Sequence, residues 1–219
     1  TTFFNFYFFN HGLGTVEVQS GTVHFGSTFS QAGTASVTNG AVLRLVGGGT
    51  GSGTFDVATN GLVDWTANYT LNPGDQLNGD GLYRVSVGTL SVNTNVAVRN
   101  LDLVDTLGAE GTLTVSNVMN WTAGAMGGGG RTVIASGATL NLMNASTVYL
   151  YPRTLENAGT VLWTGTGDLR GAPQAVLTNC PGGVWEVRND RTFTWIGGTY
   201  PRFDNAGSFV KTNSVGTTT

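Results

Sequence analysis

The chain has 219 residues and a net charge of −3, with 40% apolar residues against 11% charged ones. That apolar share excludes a disordered chain, and with Lys211 as its single lysine the chain carries no basic footprint for nucleic acid or an anionic membrane surface. Glycine at 34 positions, abundant Thr, Val and Asn, and few helix-forming residues predict an all-β domain of short strands and tight turns.

The first element is the segment TTFFNFYFFN, in which Phe3, Phe4, Phe6, Tyr7, Phe8 and Phe9 are aromatic. It lacks the basic n-region of a signal peptide, is broken by Asn5 and Asn10, and is far shorter than a membrane span. Membrane insertion is therefore disfavoured, and residues 1–10 read as an aromatic β-strand.

From Gly14 onward one phrase recurs: Gly, a small residue, then apolar, polar, apolar. It reads GTVEV from Gly14, GTVHF from Gly21, GTASV from Gly33, GTFDV from Gly53, GLVDW from Gly61, GTLSV from Gly88 and GTLTV from Gly111, with GTVLW from Gly159 and GVWEV from Gly183. Each copy predicts a strand of period two, apolar on one face and bearing Glu17, Asp56, Asp64 or Glu186 on the other. Early copies form two interleaved series, Gly14–Gly33–Gly53 and Gly21–Gly40–Gly61. Later copies read as one series through Gly88, Gly111, Gly137, Gly159 and Gly183. Steps of roughly 19 to 26 residues suit one coil of a β-solenoid, so the chain holds roughly ten coils and forms a rod roughly 45 to 50 Å long.

A second phrase marks a corner: FNHGLG from Phe9, LENAG from Leu155, LTNCPGG from Leu177 and FDNAG from Phe203. Asn tolerates turn geometry and Gly supplies positive φ, so Asn157, Asn179 and Asn205 are expected at equivalent corners, where stacked amides form a ladder. GGGTGSG (47–53) and GAMGGGG (124–130) read as loops leaving one edge, and residues 66–82, with Pro73, as an irregular insertion. Cys180 has no disulfide partner and reads as a small buried side chain.

No domain boundary stands out, so residues 1–219 read as a single solenoid unit. Both ends run in mid-pattern, uncapped, and the tail followed by the head makes a plausible continuous solenoid. The chain reads as a segment of a longer fibre with residues 1–10 at the junction between units. The expected assembly interface comprises Phe3, Phe4, Phe6, Tyr7, Phe8, Phe9, Phe209 and Val215. A donor strand for a neighbour, or a segment folded back over its own bore, are the alternatives at the head.

The Asn-Ala-Gly-Thr-Val corner, the Gly-Thr-Val-Glu-Val strands and the Trp-Thr turns at Trp121 and Trp163 resemble the β-solenoid repeats of large secreted bacterial surface proteins of the adhesin type. The resemblance implies a right-handed parallel β-helix and an extracellular structural role.

Polysaccharide lyases and hydrolases also use solenoids, and such chemistry needs carboxylates on neighbouring coils facing one groove. Asp80, Asp102 and Asp105 are spaced at about one coil, as are Asp168 with Arg170 and Asp190 with Arg191. Surface charges on any repeat of this period give the same spacing, so solvated faces are the stronger reading. His11 and His24 lack partners at ligand spacing, and the glycine runs end in Thr54 and Arg131 rather than a P-loop lysine, so no metal, nucleotide or other cofactor is expected. Asp75 and Asp80 could at most border one ion-binding loop. Trp65, Trp163 and Trp195 end apolar alternations and read as core rather than as a sugar platform. Asn68, Asn120 and Asn144 head glycosylation-type triplets, which are common by chance in so Asn- and Thr-rich a chain. The expected function is a structural extracellular fibre subunit that stacks with itself, with surface glycans as a further partner. Glycan binding or cleavage is the alternative.

Overall fold

The computed structural model describes residues 1–219 and contains 29 strands and no helix. Every strand pairing is parallel, and each strand's partners lie one coil before and one coil after it. The result is a β-solenoid of about ten coils with three faces. In each coil the chain passes along a first face (Thr2–Phe4, Thr22–Phe25, Val42–Leu45), a second (Phe8–Asn10, Phe29–Gln31, Gly49–Gly51) and a third (Thr15–Val18, Thr34–Val37, Thr54–Val57).

The two interleaved glycine series mark two of these faces: Gly14, Gly33 and Gly53 open third-face strands, and Gly21, Gly40 and Gly61 precede first-face strands. Period-two alternation sends every second side chain into the bore. On the first face Leu43, Val63, Tyr83, Leu101, Met119, Leu140, Val161 and Trp185 stand one above another, all at most 2% exposed. They belong to one apolar cluster of 43 buried residues that fills the bore and supplies most of the stabilisation. Backbone hydrogen bonds between coils run along the rod axis, so sequence-distant coils are locked in register.

The third face changes at mid-rod. Val96–Leu103 and Thr112–Trp121 are continuous strands that pass from the third face onto the first without a corner. Below them the faces separate again, Arg131–Ile134 and Thr139–Leu142 both pairing with Thr112–Trp121. Gln76–Asn78 ends the upper third-face ladder. This is the true irregularity, and it scrambles the later glycine series: Gly88 opens a second-face strand, Gly111 a third-face strand, and Gly137, Gly159 and Gly183 lead into first-face strands.

Several expectations are corrected. Residues 66–82 are no insertion but supply Tyr69–Leu71 and Gln76–Asn78, regular strands of the second and third faces. The glycine runs do not leave the edge as loops throughout: each contains a second-face strand, Gly49–Gly51 and Ala125–Met126, with corner residues beside it. Gly49 has φ 149°, and a Cβ there would collide with the backbone of Phe29, so glycine is needed for coils to approach. Residues 1–10 form two strands, Thr2–Phe4 and Phe8–Asn10, because a corner intervenes at Asn5–Tyr7. Cys180 lies half-buried in a corner rather than in the core. Trp65, Trp121, Trp163 and Trp185 are core, whereas Trp195 on the last second-face strand is 41% exposed.

Candidate functional site

The first coil pairs on one side only. Thr2–Phe4, Phe8–Asn10 and Thr15–Val18 each have a single neighbouring strand. Phe4 and Phe8 point into the bore, where Phe4 stacks on Phe25 (5.3 Å) and Phe8 on Phe29 (5.5 Å). Both are half-buried because no coil lies above them. Phe3, Phe6, Tyr7 and Phe9 are exposed, Phe3 lying against the His24 ring on the outer surface.

At the other end Phe193–Trp195, Arg202–Asn205 and Ser208–Lys211 likewise have one neighbour each. Phe209 occupies the inward row above which Trp185 is buried, yet it is half-exposed. With Trp163, Leu169, Trp185, Val187, Phe193 and Phe203 it lines an apolar cavity of about 260 Å³ at the mouth of the bore. Trp163 Nε1 is buried without a hydrogen-bond partner. The tail is held by Lys211, whose Nζ donates to Asp190 Oδ1 (2.7 Å) and Asn189 O (2.8 Å). Lys211 holds the Asp190 carboxyl below its usual range. Thr218 and Thr219 reach the rim of the cavity, while Val215 is fully exposed in the tail and away from it.

The corner asparagines are brought together. Asn157 Nδ2 donates to Asn179 Oδ1 and Asn179 Nδ2 to Asn205 Oδ1, both at 2.8 Å. Each amide also ties down the next strand, Asn157 bonding Val184 O and Asn179 bonding Ser208 O. Asn157 and Asn179 are fully buried, and Asn205, on the last coil, is exposed. Sequence reasoning missed a second ladder at the head, where Asn10 Nδ2 donates to Gln31 Oε1 (2.9 Å) and to Thr34 O. The FNHGLG phrase carried its signal.

The outer row of the first face reads His24, Arg44, Asp64, Arg84, Asp102, Asn120, Asn141 down successive coils. Arg44 pairs with Asp64 (2.9 Å) and Arg84 with Asp102 (2.8 Å), and Asn120 and Asn141 extend the chain by amide bonds. Beside this row a trough of about 590 Å³ contains Val42, Leu62, Leu82, Asp80 and Asp102. Thus Asp80 and Asp102 do meet in one trough. Both oxygens of Asp102 are engaged, by Arg84 and Asn120, and Asp80 pairs with Arg99 (2.9 Å). The Asp102 carboxylate is thus taken up in the surface ladder, whereas Asp80 is exposed and paired through one oxygen. Asp105 faces away, accepting from Gly88 N and Thr106 Oγ1, and Asp168 accepts from Thr192 N.

Of two buried polar groups, Arg153 escaped sequence reasoning altogether, and Asp75 was read only as the border of an ion-binding loop, its burial unforeseen. Arg153, 1% exposed, donates to Thr132 Oγ1 and to the carbonyls of Ala109, Gly111, Gly127 and Arg131, closing the corner at the mid-rod irregularity. Burial lowers its pKa to about 10. Asp75 accepts from Gly53 N and Asn72 N, and burial raises its carboxyl to about 6.

No protein-family model, curated protein or solved structure matches this chain.

Proposed function

We propose that the chain is a structural unit of an extracellular fibre, a stiff solenoid rod that stacks head to tail with further copies of itself. The observation that carries this reading is the exposed bore at each end: half-buried Phe4 and Phe8 above, and Phe209 with its apolar cavity below. Covering these surfaces with another coil gains roughly 25 cal/mol per Å² of apolar area and pairs the unpaired strand edges. The extracellular setting rests on the likeness of the repeats to those of secreted bacterial surface proteins. Sedimentation velocity across a concentration series tests the reading. Growing species that vanish when residues 1–10 are deleted support it, and a monomer throughout overturns it.

A second reading, a glycan lying along the rod, draws on the trough floored by Val42, Leu62 and Leu82. A glycan screen in which Leu62→Asp abolishes a binding signal would favour it over a purely mechanical role.

A further inference from the structure

We propose that the second face carries a binding site for an acidic polysaccharide, in which Tyr149 and Tyr151 support a sugar ring and Arg170 pairs with its carboxylate. The site lies on a different face from the trough beside Val42, Leu62 and Leu82, and it stands independently of the stacking reading.

The motivating observation is a charge left unopposed. The chain has ten lysine and arginine side chains. Seven of them pair with carboxylates and Arg153 is enclosed by carbonyls, which leaves Arg170 and Arg191. Arg191 is exposed at a corner, whereas Arg170 is half-buried in the middle of the strand Leu169–Gly171. Arg170 is the single charged residue on the ten strands of the second face, which carry no carboxylate. Its Nε is buried without a hydrogen-bond partner, as is the Oγ1 of Thr194, the residue paired with it on the next coil. The carboxylate nearest in sequence, Asp168, is engaged in the corner by Thr192 N and forms no ion pair with Arg170. A half-buried guanidinium left in this way carries a desolvation cost that no group of the chain offsets. A carboxylate supplies both the opposite charge and the two parallel acceptors that a guanidinium fits.

Directly above Arg170 stands an aromatic pair. Tyr149 is paired across the ladder with Arg170 on one side and with Ala125 on the other. Tyr151, two residues on, faces outward with it: the two rings are 5.8 Å apart and 8° from parallel, and Tyr151 is 40% exposed. The coil above is cut back to small residues. A Cβ at Gly127 would lie 3.2 Å from Tyr151 Cβ, so glycine leaves that flank of the side chain open. Further along the same outer side Ser30, Thr50, Thr70 and Ser91 stand one below another, a row of hydroxyls without charge. Aromatic surface set beside a few well-placed polar groups is the usual make-up of a ligand site. Here the rings can carry the C–H face of a pyranose, the guanidinium its acid group, and the hydroxyls the sugars that follow along the rod axis. That combination suits a chain of acidic sugars rather than a single small anion.

An NMR titration of the full chain with glucuronan tetrasaccharide and with cellotetraose, the same glucose backbone lacking the carboxylates, tests this. The acidic chain is expected to bind at low salt, with the neutral one at least about tenfold weaker. Arg170→Gln should weaken binding of the acidic chain about tenfold and Tyr151→Ala about threefold, at unchanged melting temperatures. Arg131→Gln, on another face, should leave it unchanged. Loss of binding in Leu62→Asp but not in Arg170→Gln would move the ligand to the trough and overturn this site. Equal affinity for the two oligosaccharides, or no binding of the acidic one, overturns it as well.

Discussion

Asn157 and Asn179, 22 residues apart, are joined amide to amide at 2.8 Å in a fully buried corner. The bond spans two coils, and Asn179 in turn bonds Asn205 and Ser208 O. Replacing Asn179 with Ala therefore strips partners from Asn157 Nδ2 and Ser208 O together. A loss of about 2 to 4 kcal/mol is expected, against less than about 1 for Asn205→Ala at the exposed end of the ladder. Denaturant titration of the two variants checks the contrast.

Arg153 is a buried cation with no carboxylate among its partners, held by four carbonyls and a threonine hydroxyl. Arg153→Met removes the charge but orphans the carbonyls, and is expected to cost about 3 to 5 kcal/mol. Arg153→Lys keeps the charge but lacks the planar fork that reaches several acceptors, so it should recover only part of the loss. Hydrogen exchange should quicken first at residues 109–131 in both variants.

The Asp75 carboxyl has its folded pKa raised from 3.8 to about 6, chiefly by burial, so the native state binds this proton more tightly than the unfolded chain does. Stability contributed by the protonated form is full below about pH 4 and is lost as pH rises through about 6. Asp75→Asn keeps an acceptor for one of the two N–H groups and cannot ionise. The pH-dependent slope of the melting temperature between about pH 4 and 6 should flatten in this variant, and an unchanged slope would assign it to another group.

At Gly49 a Cβ would collide with Phe29 backbone, whereas at Gly12 nothing lies within 4 Å. Gly49→Ala should break the second-face ladder and cost more than about 2 kcal/mol, while Gly12→Ala stays within about 0.5. Circular dichroism melts of the pair test whether the glycine run is a strand or a loop.

These residues also explain what the sequence disclosed. The Gly-Thr-Val phrases exposed the coil period and two of the faces because their strands are four residues long and alternate cleanly. The second face showed only in GTLSV from Gly88: its strands have two to four residues and include Gly49–Gly51, which has neither alternation nor β-branched side chains facing inward. Glycine run and flexible loop look alike in composition, and only the neighbouring Phe29 backbone separates them. The corner asparagines were legible from their recurrence after an apolar residue. Arg153 and Asp75 were not, since a single charged residue in a repeat carries no sign that its coil is closed around it. The aromatic head was recognised as strand-forming, but the corner at Asn5–Tyr7 that divides it follows from the coil geometry.

Electron microscopy of the negatively stained protein at rising concentration tests most directly whether the ends of the rod are assembly surfaces. Rods lengthening in steps of about 50 Å, abolished by deleting residues 1–10, are expected. Single particles about 50 Å long at every concentration would contradict it.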